Sequence, residues 1–353
     1  MDGSILCRQL LEAGHTVIGT LRRSSTDNTS RIKDVKDRIT LKELDITDAY
    51  NVSDIFKLYK PDQCFNMIAQ SHVGTSFDQP VNTFEVDALG VLHVLEAIRR
   101  ESPNTRLVHA SSSEMFGSCY STGEETGRRF KNSYDIKYQD ENTQFCPQSP
   151  YSVAKLAAHN MVGLYRKAYG LHASCSISFN HEGPYRTPTF VTRKITKWIG
   201  EYKNWANTKL IDFTYADPLF AAISDFILSD QGQFSKLRLG NIESFRDWAN
   251  AEDMCRGFQL MANQDKPDDY VLATGETHSI KEFLTEAFSY AGLGDWQPYV
   301  VIDKAFMRPA EVDYLCGRSD KAKRILGWEP KTDFKQLVRL MVDYDVQTSK
   351  KDL

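Results

Sequence analysis

Short apolar segments of two kinds alternate along the first half of this chain, and that alternation restricts the fold more than any other feature. Ile5, Leu6, Leu10 and Leu11 recur at helical spacing over residues 4–13, and Gly14 stands where a helix commonly closes. Thr16 to Leu21 is a β-rich run that ends at Arg22-Arg23. Val52, Ile55, Phe56 and Tyr59 predict a second helix, and Cys64 to Ile68 a short strand. Val91, Leu92, Val94, Leu95 and Ile98 predict a third helix, while Leu107 to Ala110 and Ala173 to Phe179 predict two more strands. Strands separated by helices build a parallel sheet covered on both faces, so the expected class is α/β. After about Asn180 the rhythm loosens into short strands (Leu237 to Leu239, Tyr270 to Ala273) and capped helices. Ser279 with Glu282 forms a capping box before Phe283 and Leu284, and Thr332 is placed to cap a last helix that buries Leu337, Val338 and Met341. Residues 118–148 are polar and aromatic without periodicity and read as a long surface loop.

With 353 residues, 41% hydrophobic and 25% charged, the chain has the makeup of a large folded domain with a smaller one attached, which excludes disordered and fibrous classes. A net charge of −4 leaves no basic footprint for a nucleic acid. Seven dispersed cysteines without a Cys-x-x-Cys pair are expected to be reduced thiols. No apolar run would span a membrane and no signal segment opens the chain, so a soluble cytoplasmic protein is expected. The eight histidines show no metal-ligand spacing, and no metal site is expected.

Chemistry concentrates in three places. In Tyr151-Ser152-Val153-Ala154-Lys155, a helix puts Tyr151 and Lys155 on one face. An ammonium beside a phenol favours the phenolate and makes it a usable base; the bland alternative is a solvated lysine on an amphipathic helix. Ser111-Ser112-Ser113-Glu114 follows a strand end, where open parallel sheets bind ligands; the alternative is a turn with helix-capping serines. Arg22-Arg23-Ser24-Ser25 follows another strand at the place where NAD-preferring folds carry an acidic residue. Arginines there suit the extra phosphate of NADP, against the alternative of a solvated basic turn.

Taken with Ala69-Gln70-Ser71-His72-Val73, Val86-Asp87-Ala88, Phe179-Asn180-His181-Glu182, Phe190-Val191-Thr192-Arg193-Lys194-Ile195, Arg246-Asp247-Trp248 and Arg308-Pro309-Ala310-Glu311-Val312, these strings cover nearly the whole chain. Together they resemble the GDP-mannose 4,6-dehydratases, within the extended short-chain dehydrogenase/reductase class. The resemblance implies a Rossmann-like doubly wound parallel sheet over residues 1–180 that binds NADP. Residues 181–353 would form a smaller, mainly substrate-binding α/β domain, with segments returning to the first. It implies Ser112, Glu114, Tyr151 and Lys155 as the catalytic group. The cofactor would be held by Asp2, Gly3, Arg22, Arg23, Ser24, Asp45, Ile46, Ala69, Gln70, Ser71, Tyr151, Lys155, His181 and Arg186. Ser71, Asn180, Lys194, Arg246, Arg308 and Glu311 would hold GDP-mannose. A homodimer or homotetramer is implied, with no nucleic-acid or membrane partner.

The pattern departs from the family in places. Only the tail of a Gly-x-x-Gly-x-x-Gly loop is present, as Asp2-Gly3-Ser4 with Gly3 as its third glycine. The sheet is therefore expected to lack its first strand, leaving a gap or an aggregation-prone edge and weak cofactor binding. Ile68 replaces a small residue, Asn82 stands in place of a tyrosine, and Tyr185-Arg186-Thr187-Pro188 replaces Arg-Arg-Gly-Glu. Segments 118–148 and 200–235 are longer than the family's; Phe213, Tyr215, Phe220 and Phe226 read as a surface elaboration. Three functions stay open on these residues: the dehydratase, a sibling nucleotide-sugar epimerase or reductase that needs no carboxylate at Glu114, and a catalytically impaired chain that binds nucleotide sugar.

Overall fold

The computed structural model describes residues 1–25, 28–123, 136–214, 234–307 and 309–350 and separates the chain into two compact units. Unit 1 comprises Met1–His181, Phe245–His278 and Arg308–Asp333; unit 2 comprises Glu182–Ser244, Ser279–Met307 and Phe334–Leu353.

Unit 1 opens with helix α1 (Asp2–Glu12), closed by Ala13 and by Gly14 at φ +83°, a backbone angle that glycine tolerates at little cost. Strand β1 (Ile18–Leu21) pairs in parallel with β2 (Thr40–Glu43), Ile18 opposite Thr40. Helix α2 (Ala49–Tyr59) starts at Asp48, whose carboxylate accepts from the amides of Tyr50 (2.9 Å) and Asn51 (3.2 Å). Strand β3 (Gln63–Asn66) leads through α3 (Val73–Asp78) and α4 (Pro80–Phe84) into one π-helical turn, Glu85–Leu89, and then α5 (Gly90–Glu101). Strand β4 (Arg106–Ala110), helix α6 (Pro150–Tyr169), strand β5 (Ala173–Ser178) and strand β6 (Tyr270–Leu272) complete the frame.

Four strands form one parallel sheet in the order β6-β5-β4-β3. Every residue of β5 is buried, as a central strand of a sheet covered on both faces must be. Val91, Leu95 and Ile98 of α5 pack with Leu107, Ala158 and Val162 in one core. Full burial of each of the three contributes about 1.5–3 kcal/mol. Met115, Phe116, Ile177, Phe179 and Val271 form a second core in the same unit.

The parallel strands fall into two pieces. Among the described residues β1 hydrogen-bonds only to β2, and β3 only to β4. Each of β1 and β3 therefore has one edge without a strand partner among the described residues.

In unit 2, helix Val191–Thr214 packs along helix Phe334–Ser349. Buried Asp345 joins them, accepting from Arg193 Nε and Thr196 Oγ1, each at 2.7 Å. Gly200 permits the close approach, because a Cβ there would run into the Asp345 carbonyl. Strands Leu237–Leu239 and Val300–Ile302 pair in parallel. Helix Ile280–Tyr290 carries the expected reciprocal cap, Ser279 accepting from the Glu282 amide (3.1 Å) and Glu282 from the Ser279 amide (2.7 Å).

Three expectations need correction. Thr332 does not cap the last helix, which starts at Phe334; its hydroxyl accepts from Asn250 Nδ2 (3.2 Å) instead. Residues 118–148 are not wholly a loop, since Ser121–Gly123 and Ile136–Tyr138 form an antiparallel pair. Nor are all the cysteines thiols: Cys119 and Cys146 form a disulfide, while Cys7, Cys64, Cys175, Cys255 and Cys316 are free. Of the aromatic residues in the longer second segment, Tyr215, Phe220 and Phe226 lie outside the described residues. Among the described residues no helix is long and apolar enough to cross a membrane.

Candidate active site

Helix α6 begins where the sequence makes it begin. Ser149 accepts from the Ser152 amide (3.1 Å), Ser152 Oγ accepts from the Ser149 amide (2.9 Å), and Pro150 fixes the first helical φ. Tyr151 therefore sits in the first turn and Lys155 one turn later. Lys155 is 2% exposed, and its Nζ donates to the Ala110 carbonyl at 2.9 Å, the last residue of β4. The same ammonium lies 5.9 Å from the centre of the Tyr151 ring.

Past Ala110 the chain turns through a short 3-10 segment, Ser113–Phe116, that packs against α6. Ser112 caps it, its Oγ accepting from the Glu114 amide at 3.2 Å. The capping alternative raised for these serines is thus true of Ser112. It does not remove Ser112 from the site, because a hydroxyl accepting one bond still has a proton to donate. Ser112 (7%), Glu114 (8%) and Tyr151 (7%) keep a little exposure within an otherwise buried neighbourhood. A serine hydroxyl, a carboxylate and a phenol whose ring lies 5.9 Å from a buried ammonium are thereby gathered at the carboxyl end of β4.

Sequence reasoning quoted Asp87 within a string but gave it no role. It sits on the π-helical turn Glu85–Leu89, which packs on α6, and it is fully buried. Its Oδ1 accepts from the Gln70 amide at 2.7 Å, so it anchors the expected cofactor stretch Ala69-Gln70-Ser71. Burial pushes its carboxyl up to about 6, against the opposing pull of Lys155 and the Gln70 amide. Burial lowers Lys155 in turn, and the Asp87 charge resists that. A lone acid in the run Val86-Asp87-Ala88-Leu89 was the available signal, because a charge among core residues needs a partner.

The other expected cofactor residues collect at strand ends of unit 1. Arg22, Arg23 and Ser24 follow β1 and are exposed. Asp45 and Ile46 follow β2; Asp45 accepts from the Thr47 hydroxyl (2.7 Å) and amide (3.0 Å), and these bonds, with Arg22 adding to them, hold its carboxyl low. Asp2 and Gly3 open α1, and Asp2 Oδ2 lies 3.2 Å from His181 Nε2, while His181 Nδ1 donates to the Phe179 carbonyl (2.8 Å). Arg186 is placed differently. It belongs to unit 2, ion-paired with Glu182 (3.1 Å) and lying over the Phe190 ring.

Of the expected substrate residues, unit 1 holds Ser71, Asn180, Arg246 and Glu311. Arg246 is 6% exposed and donates from Nη2 to Glu311 Oε1 at 2.9 Å, while Asn180 Oδ1 is buried without a partner among the described residues. Lys194 belongs to unit 2, where its Nζ lies 3.7 Å from the Phe306 ring centre and burial lowers its pKa. Arg308 lies outside the described residues.

Asp247, beside Arg246, fixes the frame. Its carboxylate accepts from the amides of Thr274 (2.9 Å), Gly275 (3.0 Å) and Gly317 (3.1 Å) and from the Thr274 hydroxyl (2.7 Å). Asp247→Ala takes the acceptor from three backbone amides and a hydroxyl, one of those amides fully buried, and should lower stability by on the order of 3 kcal/mol. A fall in the urea midpoint at unchanged slope would register this; a loss below about 1 kcal/mol would mean that water or neighbours replace the carboxylate.

A family model described as GDP-mannose 4,6 dehydratase matches residues 1–216 and 219–341. A GDP-mannose 4,6 dehydratase from Arabidopsis thaliana is 41% identical over 363 residues, spanning 99% of this chain and 88% of that protein. One from Homo sapiens is 34% identical over 372 residues, spanning 98% of this chain and 89% of that protein. Among solved structures, a dTDP-glucose 4,6-dehydratase from Streptomyces venezuelae, with NAD bound, superposes with a TM-score of 0.75 at 21% identity, covering 99% and 95% of the two chains. That last likeness speaks for the fold alone.

Proposed function

This chain belongs to the GDP-mannose 4,6-dehydratase family, and from that premise we propose that it converts GDP-mannose to GDP-4-keto-6-deoxymannose with no net redox change. The observation that carries the reading is the meeting of Tyr151 and Lys155 with the Ser112–Glu114 turn at the end of β4. The Tyr151 side chain, as phenolate, takes the proton from the hydroxyl on carbon 4 of the sugar and becomes the phenol, and Ser112 donates a hydrogen bond to the oxygen left there. A ketone at carbon 4 acidifies the proton on carbon 5. Glu114 removes that proton and assists departure of the carbon 6 hydroxyl as water.

The cofactor of this reading is NADP, which when bound supplies both the hydride acceptor and the returning hydride. The donor set fits it. Arg22 and Arg23 put exposed guanidinium groups after β1, where a ribose phosphate asks for them. Asp2, Gly3, Ser24, Asp45, Ile46, Ala69, Gln70, Ser71 and His181 would line the rest of it, with Tyr151 and Lys155. Arg186, paired with Glu182 and lying over the Phe190 ring, would be a further cofactor contact. Ser71, Asn180, Lys194, Arg246, Arg308 and Glu311 would hold the diphosphate and sugar; all of them but Lys194 belong to unit 1, which would also bear the cofactor residues. We place the chain in the cytoplasm as a homo-oligomer. Val81 and Phe84 on α4, Leu89 on the π-helical turn, and Val153 and Leu164 on α6 expose apolar side chains to which a second copy would fit.

Incubation with GDP-mannose and NADP should yield a sugar nucleotide lighter by one water. Arg22→Ala with Arg23→Ala should weaken NADP roughly tenfold or more while NAD binding barely changes. Equal losses for the two cofactors would remove the arginines from the phosphate site, and an epimerised product would move the chain to the sibling reaction.

A further inference from the structure

The disulfide joins two stretches that each lead to a catalytic group. Cys119 lies five residues after Glu114, and Cys146 five residues before Tyr151. Backbone bonds continue the link into the turn itself. The Cys146 amide donates to the Met115 carbonyl (2.9 Å), the Cys119 amide to the Phe116 carbonyl (2.9 Å), and the Gly117 amide to the Glu114 carbonyl (3.3 Å). At Gly117 φ is +54°, and a Cβ there would run into the Cys146 carbonyl oxygen, so the two strands of chain lie as close as glycine allows. Gln148 Nε2 donates to Ser118 Oγ at 2.8 Å, one residue before Cys119.

We propose that Cys119 and Cys146 are a redox-sensitive positioning pair, whose disulfide braces the Glu114 turn against the entry to the Tyr151 helix and whose reduction loosens it. The inference rests on the roles given to Glu114 and Tyr151 above. The chemistry is thiol–disulfide exchange. A small-molecule dithiol gives up two electrons and two protons, the Cys119–Cys146 sulfur–sulfur bond breaks, two thiols form, and the dithiol closes to its own disulfide. Glutathione disulfide reverses the change, releasing two glutathione thiols. Both cysteines are half-buried, within reach of such reagents. The free cysteines compete poorly. Burial pushes the Cys64 and Cys316 thiols up to about 12, raises Cys7, and holds Cys175 and Cys255 well above the ordinary range, so thiolate is scarce at all five. A disulfide in a cytoplasmic protein is more often a transient or sensing bond than a structural staple.

The test compares the oxidised, dithiol-reduced and glutathione-disulfide-reoxidised full chain, with intact mass confirming a gain and then a loss of two hydrogens. Amide hydrogen exchange at Gly117, Cys119 and Cys146 should quicken by roughly tenfold on reduction and return on reoxidation. Turnover of GDP-mannose should fall roughly tenfold in kcat with KM changed little, as displacement of a reacting group would cause. In Cys119→Ser with Cys146→Ser the dithiol should alter neither reading. Unchanged exchange and kcat in a chain whose mass proves reduction would overturn the brace. So would an equal dithiol effect in the double variant, or isolation of the unsubstituted chain with both thiols free after oxidant treatment. A chain that never turns over GDP-mannose, yet shows the reversible exchange response, would count against the proposed reaction and leave the brace standing.

Discussion

Replacing Tyr151 by Phe should remove roughly 10²–10⁴-fold of the dehydratase rate, while the fold is kept and NADP affinity falls by no more than the roughly tenfold that one lost hydrogen bond to the cofactor would cost. The substitution deletes one oxygen from a side chain that is 7% exposed. The helix start depends on Ser149, Pro150 and Ser152, and Lys155 is held by the Ala110 carbonyl; neither uses the phenol. The loss therefore reports proton removal from the carbon 4 hydroxyl and little else. Product would be followed chromatographically from GDP-mannose, with NADP affinity measured separately. A loss below about fivefold would mean that another group takes the proton, and Lys155, buried and lowered by that burial, would be the next to examine. A loss of NADP binding as large as the loss of turnover would instead make seating the cofactor the main role of Tyr151.

Legibility in the sequence followed how local each signal was. The helices α1, α2 and α5 announce themselves through apolar spacing, because each buries one apolar face within its own unit. Strands β3, β4 and β5 were readable as short apolar runs for the same reason. Strand β2 was not: among the described residues Thr40-Leu41-Lys42-Glu43 pairs only with β1, and it buries none of its four residues, so it has little need of apolar side chains. Tyr151 and Lys155 were legible because one helical turn relates them. The link from Asp87 to Gln70 and the bond between Cys119 and Cys146 were not legible, since each depends on how distant stretches fold back. A separation of 27 residues between two cysteines carries no spacing signal. Arg246 and Glu311 were both named through the family resemblance; their pairing with each other became visible only in the fold.

Glu114→Gln is the change that separates dehydration from oxidation. Gln keeps the size of the side chain and its capacity to accept a hydrogen bond, but it cannot take a proton at carbon 5. The turn should survive, because its cap runs from the Glu114 amide to Ser112 and its remaining bonds are to main-chain atoms of Met115, Phe116 and Glu114. Among the described residues no side chain donates to the Glu114 carboxylate, so no structural bond is lost with its charge. Tyr151 and Lys155 are untouched, and proton removal at carbon 4 needs neither oxygen of Glu114. The variant should thus lose dehydration by roughly a hundredfold or more, the effect of removing a positioned acid–base group, while the first oxidation remains. With GDP-mannose and NADP it should show a lasting absorbance of reduced nicotinamide and almost no keto-deoxy product. If product instead forms at the unsubstituted rate, Glu114 only shapes the turn, and the chemistry at Tyr151 and Lys155 is better read as that of an epimerase. If the reduced-nicotinamide signal and the product both vanish, Glu114 also seats the sugar for oxidation. Tight binding of GDP-mannose by the unsubstituted chain, against weak binding by Glu114→Gln, would then establish it as a substrate ligand.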